Sequence, residues 1–168
     1  MAGCTYFVYR TGLGRLTLES DGVALTRLAF GSVRMDGDER ASALANRASS
    51  EILEYLSGRR RAFDVPLAPA GTAFQQAVWR AASRIPYGQT RTYAEVAREM
   101  GKPGSLRAVG AACKANPLPL LVPTHRIVGS HGKLGGFVAG YPADQAARIK
   151  RFLLEVERRG VEGAAPQR

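Results

Sequence analysis

A chain of 168 residues, 45% hydrophobic and 23% charged, is long enough for one ordinary domain or two small ones and has the composition of a soluble globular protein. Nothing in it approaches the roughly 20 consecutive apolar residues that a membrane span requires, and no basic start leads into an apolar signal segment. Because the formal net charge is +10, we expect a polyanionic partner.

The positive charge is concentrated in the second part of the chain. Residues 1–69 hold nine Lys or Arg against eight Asp or Glu, whereas residues 70–168 hold fifteen against six. Neutralisation of phosphates drives such basic surfaces toward nucleic acid, although a merely soluble basic surface is the alternative. We therefore expect a cytoplasmic, nucleoid-associated protein that makes no contact with a membrane.

Cysteine usage excludes two other classes of protein. Cys4 and Cys113 are too few for a disulfide framework, and no Cys-x-x-Cys pair or His-rich cluster indicates zinc. We expect neither a metal nor a cofactor.

The first part of the chain predicts a small sheet followed by a helix. Alternating apolar segments at residues 5–9, 15–18 and 24–30, separated by glycines, are typical of strands. A helix is predicted over about residues 41–56, and a linker rich in Pro and Ala covers residues 65–71.

The second part predicts mainly helices, because it carries clear helix start signals. Thr72 is followed three residues later by Gln75, and Thr92 by Glu95 in the same way. Both pairs fit the capping box, in which the two side chains satisfy free backbone N–H groups reciprocally. Helices should therefore begin near residues 73 and 93, and the second should run to Met100.

A helix-turn-helix outline follows. Residues 101–104, Gly-Lys-Pro-Gly, predict a tight turn before a new helix over residues 105–115, which must stop at Asn116 because Pro117 restricts the residue before it. Helix, short turn and helix form the outline of a DNA-binding motif.

The composition of the second helix of this motif is compatible with close approach to DNA. Ala108, Gly110 and Ala111 are small, and Arg107 and Lys114 are basic. Small residues let a helix backbone approach a groove, but they let it approach another helix equally well.

Four motifs in a fixed order resemble the O6-alkylguanine-DNA alkyltransferases. They are R-x-P-Y-G-x-x-x-T-Y over residues 84–93, R-A-V-G-x-A-x-x-x-N-P over 107–117, P-T-H-R-I over 123–127 and G-x-x-G-G-F over 132–137. The resemblance covers about residues 72–158, and the residues before them resemble the variable sheet domain of that family more loosely.

The expected fold is α/β. An N-terminal domain over residues 1–70 should hold a small antiparallel sheet, a helix and the linker. A helical C-terminal domain over residues 71–160 should carry a winged-helix-like helix-turn-helix. The tail, residues 161–168, should be disordered, beginning at about Gly160.

The resemblance implies roles for individual residues. Arg107 matches an arginine that fills the space left by a flipped base, and Tyr93 a tyrosine that crowds the 3′ phosphate. Asn116 matches a hinge asparagine, while His125 and Glu157 match the pair that activates the nucleophile through a water. The implied walls of the base pocket are Pro119, Gly135, Gly136, Phe137 and Val138. The implied DNA contacts are Tyr93, Arg107, Ala108, Gly110, Ala111, Lys114 and Arg126.

The implied partner is double-stranded DNA containing O6-alkylguanine, bound by a monomer that flips the damaged base out of the stack.

The residue before His125 departs from the family pattern. The resemblance places the acceptor cysteine there, because displacement of an alkyl group from guanine O6 needs a thiolate, but this chain has Thr124. Histidine activates a hydroxyl readily in acyl transfer, where an oxyanion hole assists, and displacement at a saturated carbon has no such help. We expect no alkyl transfer to Thr124, and none to Cys113, a predicted buried packing residue.

The sequence is compatible with three functions. The first is that of the alkyltransferase-like proteins, which the chain resembles and which bind O6-alkylguanine without repairing it and present it to nucleotide excision repair. Those proteins more often have Trp or Ala at the position of Thr124, and they usually lack the N-terminal domain. The second function is a methylated-DNA–protein-cysteine methyltransferase whose cysteine has been substituted. The third is a DNA-binding protein without damage specificity, which would predict a decayed pocket. We favour the first, and with it no enzymatic activity.

Overall fold

The computed structural model, which describes residues 3–163, places a sheet in the first part of the chain and helices in the second. The boundary between the two units falls between Ala70 and Gly71. None of the helices within residues 3–163 is long and apolar enough to cross a membrane.

The sheet of the first unit has the strand order β3-β2-β1-β4. Strand β1 (Thr5–Thr11), β2 (Gly14–Ser20) and β3 (Leu25–Phe30) are antiparallel and confirm the three predicted strands, with ends shifted by at most two residues. Strand β4 (Asp38–Glu39) pairs parallel to β1. The sequence did not predict β4, because two exposed acidic residues carry no apolar alternation.

One helix covers this sheet. Helix α1 (Ala43–Leu56) begins two residues later than predicted, because the Ser42 side chain accepts a hydrogen bond from the backbone N–H of Ala45 and so caps the helix. Its buried face, which includes Ala48, Ile52 and Tyr55, packs against β1 and β2. The apolar faces of helix and sheet together form the core of the first unit.

The second unit begins its helices where the capping boxes predicted. Helix α2 (Ala73–Ser83) and α3 (Tyr93–Glu99) each have the reciprocal pair of side-chain and backbone hydrogen bonds, Thr72 with Gln75 and Thr92 with Glu95. Both boxes are therefore confirmed.

The helix-turn-helix consists of α3 and α4 (Leu106–Lys114). Val109, Ala112 and Cys113 form the buried face of α4, and the indole N–H of Trp79 in α2 donates to the Ala112 carbonyl at 2.9 Å. Some of the small residues therefore serve helix packing.

Other small residues of α4 face outward. Ala108 and Ala111 are exposed, and Gly110 is half-buried. The outer surface of the helix is consequently smooth, and Arg107 and Lys114 project from it.

A short two-stranded sheet joins the helix-turn-helix to the segment that follows it. Strand β5 (Arg91–Thr92) pairs parallel with β6 (Ile127–Val128), immediately before α3 on one side and after Arg126 on the other. This pairing brings the start of α3 beside residues 123–127, which the sequence alone did not predict.

The last helix runs further than expected. Helix α5 (Ala143–Glu162) includes Gly160, so the prediction of disorder from about Gly160 is wrong for the residues up to Glu162. A Cβ on Gly160 would lie 2.1 Å from the Tyr87 hydroxyl oxygen, so glycine permits this close packing, and Arg158 pairs with Glu155 and Glu162 along the helix. The rest of the predicted tail, residues 164–168, lies outside the described residues.

Candidate functional site

Asn116 organises the turn that presents Thr124. Its side-chain amide donates to the Val122 carbonyl at 3.0 Å and to the Thr124 hydroxyl oxygen at 2.9 Å, and its carbonyl oxygen accepts from the Leu118 N–H at 2.9 Å. Thr124, which is completely buried, opens a single 3₁₀ turn that ends at Arg126. The hydroxyl is thus held as a hydrogen-bond acceptor inside the protein.

His125 and Arg126 share one carboxylate. Glu157 of α5 accepts from His125 Nε2 at 2.5 Å, from Arg126 Nε at 2.8 Å and from the Gly88 N–H at 2.9 Å. Arg126 also donates to the Ile85 carbonyl at 2.8 Å and stacks over the Tyr87 ring. The residues come from three separate segments, namely residues 85–88, the turn at 125–126 and α5, so α5 ties this turn to the rest of the unit.

The charges in this cluster follow from burial and hydrogen bonding. Burial alone would raise the pKa of Glu157, but the hydrogen bond from His125 and the charge and hydrogen bond of Arg126 more than offset it and bring that pKa to about 2. Burial lowers the pKa of His125. The ring is therefore neutral near pH 7, donates Nε2–H to the Glu157 carboxylate and carries its lone pair on Nδ1.

These pKa shifts predict acid sensitivity of the second unit. Below pH 6.5 the unfolded chain protonates His125 while the folded state resists, and below pH 4.5 the unfolded chain protonates Glu157 while the folded state does not. Unfolding by urea, followed through Trp79, the single tryptophan, should therefore show stability that falls as the pH drops below about 6.5 and falls further below about 4.5.

The control for this prediction is His125→Asn, whose amide can still donate to Glu157 but does not titrate. Its stability should change less than that of the wild type between pH 7 and pH 5, as expected from the ordinary pKa of 6.5. Identical pH profiles for the two proteins would contradict a buried neutral His125.

Lys150 is a functional candidate that the sequence reasoning missed. Its ammonium group donates to the carbonyls of Ile127 at 2.6 Å, Leu134, and Gly136 at 3.1 Å, and the side chain is completely buried. Burial lowers its pKa to about 8. This lysine on α5 therefore holds the segment from β6 to Gly136 in place.

A signal for Lys150 was present in the sequence. Ala146, Lys150, Leu153 and Glu157 are the buried residues of α5, and they recur at helical spacing. Two charged residues on a buried stripe indicate interior ion pairs or hydrogen bonds, since unpaired burial of a charge is strongly unfavourable.

Tyr93 and the glycine pair Gly135–Gly136 meet in close packing. The Tyr93 hydroxyl donates to the Gly136 carbonyl at 3.2 Å, and a Cβ on Gly135 would lie 2.2 Å from the Tyr93 hydroxyl oxygen. Gly135 also has φ of +73°, where only glycine is comfortable. No other residue would fit at position 135 without displacing Tyr93.

A cavity of about 410 Å³ opens beside this contact; we call it the helix cavity. Its lining residues come from α3, α4 and the glycine pair: Tyr93, Leu106, Arg107, Gly110, Ala111, Lys114, Gly135 and Gly136. Arg107 and Lys114 therefore stand at one apolar hollow on the outer face of the helix-turn-helix.

The predicted site residues fall into two groups. The predicted residues that line the helix cavity are Tyr93, Arg107, Gly110, Ala111, Lys114, Gly135 and Gly136. Ala108 lies on the exposed face of α4, outside that lining. Eight others are in the interior: Asn116, Pro119, Thr124, His125, Arg126, Phe137, Val138 and Glu157. Phe137 is 1% exposed and its ring meets that of His125 edge-on, with centroids 6.3 Å apart, and Val138 is also buried.

Arg126 requires a correction. We predicted that it contacts DNA, but it is only 7% exposed and its guanidinium donates to Glu157 and to the Ile85 carbonyl. These interior partners leave it as a structural member of the buried cluster rather than a surface cation.

Two family models match this chain. Residues 73–159 match the DNA-binding domain of 6-O-methylguanine DNA methyltransferase, and residues 4–69 match the ribonuclease-like domain of the same protein. The chain belongs to the 6-O-methylguanine DNA methyltransferase family. The α/β fold with a small N-terminal sheet and a C-terminal helical domain, which the sequence predicted, is confirmed as the fold of this family.

Relatives in the methyltransferase family span nearly the whole chain. The methylated-DNA–protein-cysteine methyltransferase of Methanosarcina acetivorans is 38% identical over 157 residues, which are 90% of this chain and 97% of that protein. The structure of Mycobacterium tuberculosis O6-methylguanine methyltransferase has a TM-score of 0.83 and 36% identity, covering 98% of this chain and 96% of that one. A second structure, of M. tuberculosis OGT in complex with DNA, has a TM-score of 0.82 and 39% identity, covering 93% and 94%.

The cysteine of the second unit is poorly suited to act as an acceptor. Cys113 is completely buried on α4, where burial raises the pKa of its thiol to about 12. At neutral pH Cys113 is therefore a thiol rather than a thiolate. Within residues 3–163, no cluster of three or more His, Cys, Asp or Glu side chains could hold a metal ion.

Proposed function

We propose that this protein binds alkylated DNA and takes O6-alkylguanine into its C-terminal unit without accepting the alkyl group. The observation that carries the proposal is Thr124 itself. It occupies the position that the family resemblance assigns to the acceptor cysteine, within the cluster formed by Asn116, His125 and Glu157. The protein would then recognise DNA damage rather than repair it.

The chemistry of Thr124 supports this proposal. Transfer of an alkyl group requires a strong nucleophile, and a hydroxyl that accepts a hydrogen bond from Asn116 becomes less nucleophilic still. His125 is a weak base, because burial lowers its pKa. The Thr124 hydroxyl, even with His125 as a base, is therefore a much weaker nucleophile than a thiolate.

The outer face of the helix-turn-helix supports DNA as the partner. Arg107 and Lys114 make no ion pair within residues 3–163, so both are available to phosphates or bases. The helix cavity adjoins these cations and falls within the range of about 300–1,000 Å³ that is usual for small-molecule sites. A base flipped out of the duplex could therefore enter beside α4.

The proposal assigns the later steps to other proteins. A lesion that is bound but not repaired has to be passed on, and nucleotide excision repair proteins are the partners we propose. We further propose that the protein acts as a cytoplasmic, nucleoid-associated monomer.

A second candidate is a methylated-DNA–protein-cysteine methyltransferase whose acceptor has been replaced. The observation that favours it is the hydrogen-bonded pair of His125 and ionised Glu157, which is the arrangement needed to activate a nucleophile. Under this alternative the site is complete except for one sulfur atom.

One paired measurement tests the proposed function. The purified protein is incubated with duplex containing O6-methylguanine and its intact mass is recorded, and the same duplex is titrated against an undamaged one at fixed salt. We expect no gain of a methyl group and tighter binding of the damaged duplex. A methyl gain with loss of the lesion would identify a working methyltransferase, and equal affinity for both duplexes would leave only DNA binding without damage specificity.

Arg107→Ala should weaken binding of the O6-methylguanine duplex more than binding of undamaged duplex, by about tenfold or more. The reason is that Arg107 would fill the space that the flipped base vacates, an interaction that exists only in the lesion complex. The measurement is the ratio of the two dissociation constants.

The matched control is Arg148→Ala, which removes an exposed cation on α5 that does not line the helix cavity. It should lower both affinities about equally, as a general phosphate attraction does. If Arg107→Ala behaves in the same way as Arg148→Ala, Arg107 has no role specific to the lesion.

A further inference from the structure

A hollow with a basic rim lies along helix α2, outside the site described above. It encloses about 320 Å³ between α2, the end of α3 and the turn of the helix-turn-helix, and we call it the α2 hollow. Four of its lining residues are apolar and three are cationic. None of them lines the helix cavity, so the second unit has two distinct places where a ligand can bind.

Helical spacing produces the floor of the α2 hollow. One stripe along α2, at positions i, i+4, i+7 and i+11, consists of Ala73, Ala77, Arg80 and Arg84. Phe74 and Met100, both half-buried, complete the apolar part of the lining. The fold therefore leaves part of the Phe74 ring uncovered at the bottom of a concave surface.

The rim of the α2 hollow is positively charged and uncompensated. Arg80 and Arg84 are exposed, and Lys102 places its Nζ atom 5.3 Å from the centroid of the Phe74 ring. The Lys102 N–H donates to the Ala97 carbonyl at 2.9 Å, which fixes the turn that carries this lysine. None of the three cations makes an ion pair within residues 3–163, and no acidic side chain lines the hollow.

The helix dipole explains only part of this arrangement. Arg80 lies in the last turn of α2, where the free carbonyl groups favour a cation. Lys102 belongs to a different segment, and an aromatic ring beneath the cations adds nothing to the dipole effect. Three like charges around one hollow repel each other, and an anionic ligand relieves that repulsion.

An acidic peptide segment matches both the rim and the floor. Its carboxylates can form charge-assisted hydrogen bonds with the arginines, and an apolar side chain between them can pack on the Phe74 ring. Duplex DNA matches only the rim, because its sugar–phosphate backbone carries no apolar side group that would enter a concave floor. The volume suits one or two side chains of an extended segment.

We propose that the α2 hollow is a docking site for a partner protein, which binds through an acidic segment that carries one aromatic or large aliphatic residue. The site gives the protein a second kind of partner besides DNA. It is independent of the proposed function, because none of its residues takes part in recognising or accepting the alkylated base.

The test of the floor compares two labelled peptides by fluorescence polarisation, at fixed salt and without DNA. One is a run of Asp and Glu with a single central Phe, and the other has Ser in place of that Phe. The wild type should bind the Phe peptide about tenfold more tightly, because one aromatic side chain leaves water. Ala77→Phe fills the floor and keeps all three cations, so it should bind both peptides about equally.

A pair of charge reversals tests the rim. Arg80→Glu combined with Arg84→Glu should weaken binding of the Phe peptide by about tenfold or more. The matched control is Arg148→Glu combined with Arg151→Glu, which changes the net charge equally at exposed positions of α5 outside the hollow. It should weaken binding far less and keep the Phe preference. Melting followed by circular dichroism shows that each variant is folded, and the floor and rim variants each suffice if the other fails to fold.

Each outcome decides for or against the docking site. Loss of the Phe preference in Ala77→Phe, or loss of affinity in the α2 pair but not in the α5 pair, supports it. Equal binding of the two peptides by the wild type, a Phe preference retained in Ala77→Phe, or equal effects of the two charge-reversed pairs would overturn it. The α2 hollow is instead a DNA contact if the α2 pair leaves peptide binding unchanged but weakens binding of undamaged duplex more than the α5 pair does. No lesion is used, so this test and that of the proposed function can fail separately.

Discussion

The Thr124→Cys protein is expected to gain about one methyl group per chain from O6-methylguanine duplex, whereas we expect none on the wild type. The surrounding groups are already in place, because Asn116 positions the side chain at 124 and the neutral His125 is held by ionised Glu157. A thiol is more acidic than a hydroxyl, so even a weak base can supply some thiolate. The measurement is the intact mass of the protein after incubation, together with loss of the lesion.

Two controls make the result specific. Thr124→Ser keeps a hydroxyl at the same position and should gain no methyl, which separates the effect of sulfur from that of losing the threonine methyl group. Combining Thr124→Cys with Cys113→Ala should leave the transfer intact, because Cys113 is a buried thiol with a pKa of about 12. A Thr124→Cys protein that binds the lesion but stays unmethylated would mean that His125 and Glu157 cannot activate a nucleophile here.

Glu157→Ala is expected to lower the free energy of unfolding of the second unit by about 3–5 kcal/mol. Glu157 is 1% exposed, and its removal would leave Arg126 as a buried charge without its carboxylate and the Gly88 N–H without its acceptor. Urea unfolding followed through Trp79 measures the effect in this unit, because Trp79 is the single tryptophan and is 2% exposed.

Two variants of the same helix serve as comparisons for this prediction. Glu157→Gln retains an acceptor oxygen and should lose less stability than Glu157→Ala. Glu155→Ala removes a carboxylate that pairs with Arg158 and Arg159 at the surface, and its unfolding midpoint should scarcely move. Equal midpoints for Glu157→Ala and Glu155→Ala would show that the buried cluster contributes no more than a surface ion pair.

Local hydrogen bonding explains why much of the fold could be predicted. The capping boxes at Thr72 and Thr92 involve residues three positions apart, so the sequence alone contains both partners. The three long strands were likewise evident from alternation within single segments. The order of the four motifs was enough to predict the family.

Pairings between distant segments could not be predicted in the same way. Strand β4 and the β5–β6 pair are each two residues long, which is too short for a periodic pattern. Gly160 in the last turns of α5 packs against Tyr87, a contact across the unit that no local pattern in the helix indicates.

The sequence by itself determined the residue types of the site, above all that a hydroxyl stands at position 124 beside His125. Only the tertiary structure decided which charges are buried and what they bind. Arg126 and Glu157 are 31 residues apart in the chain, and Lys150 meets carbonyls 14 to 23 residues away. A buried charge is stable only beside the groups that compensate it, and the folding of α5 against the 123–136 segment is what brings those groups together.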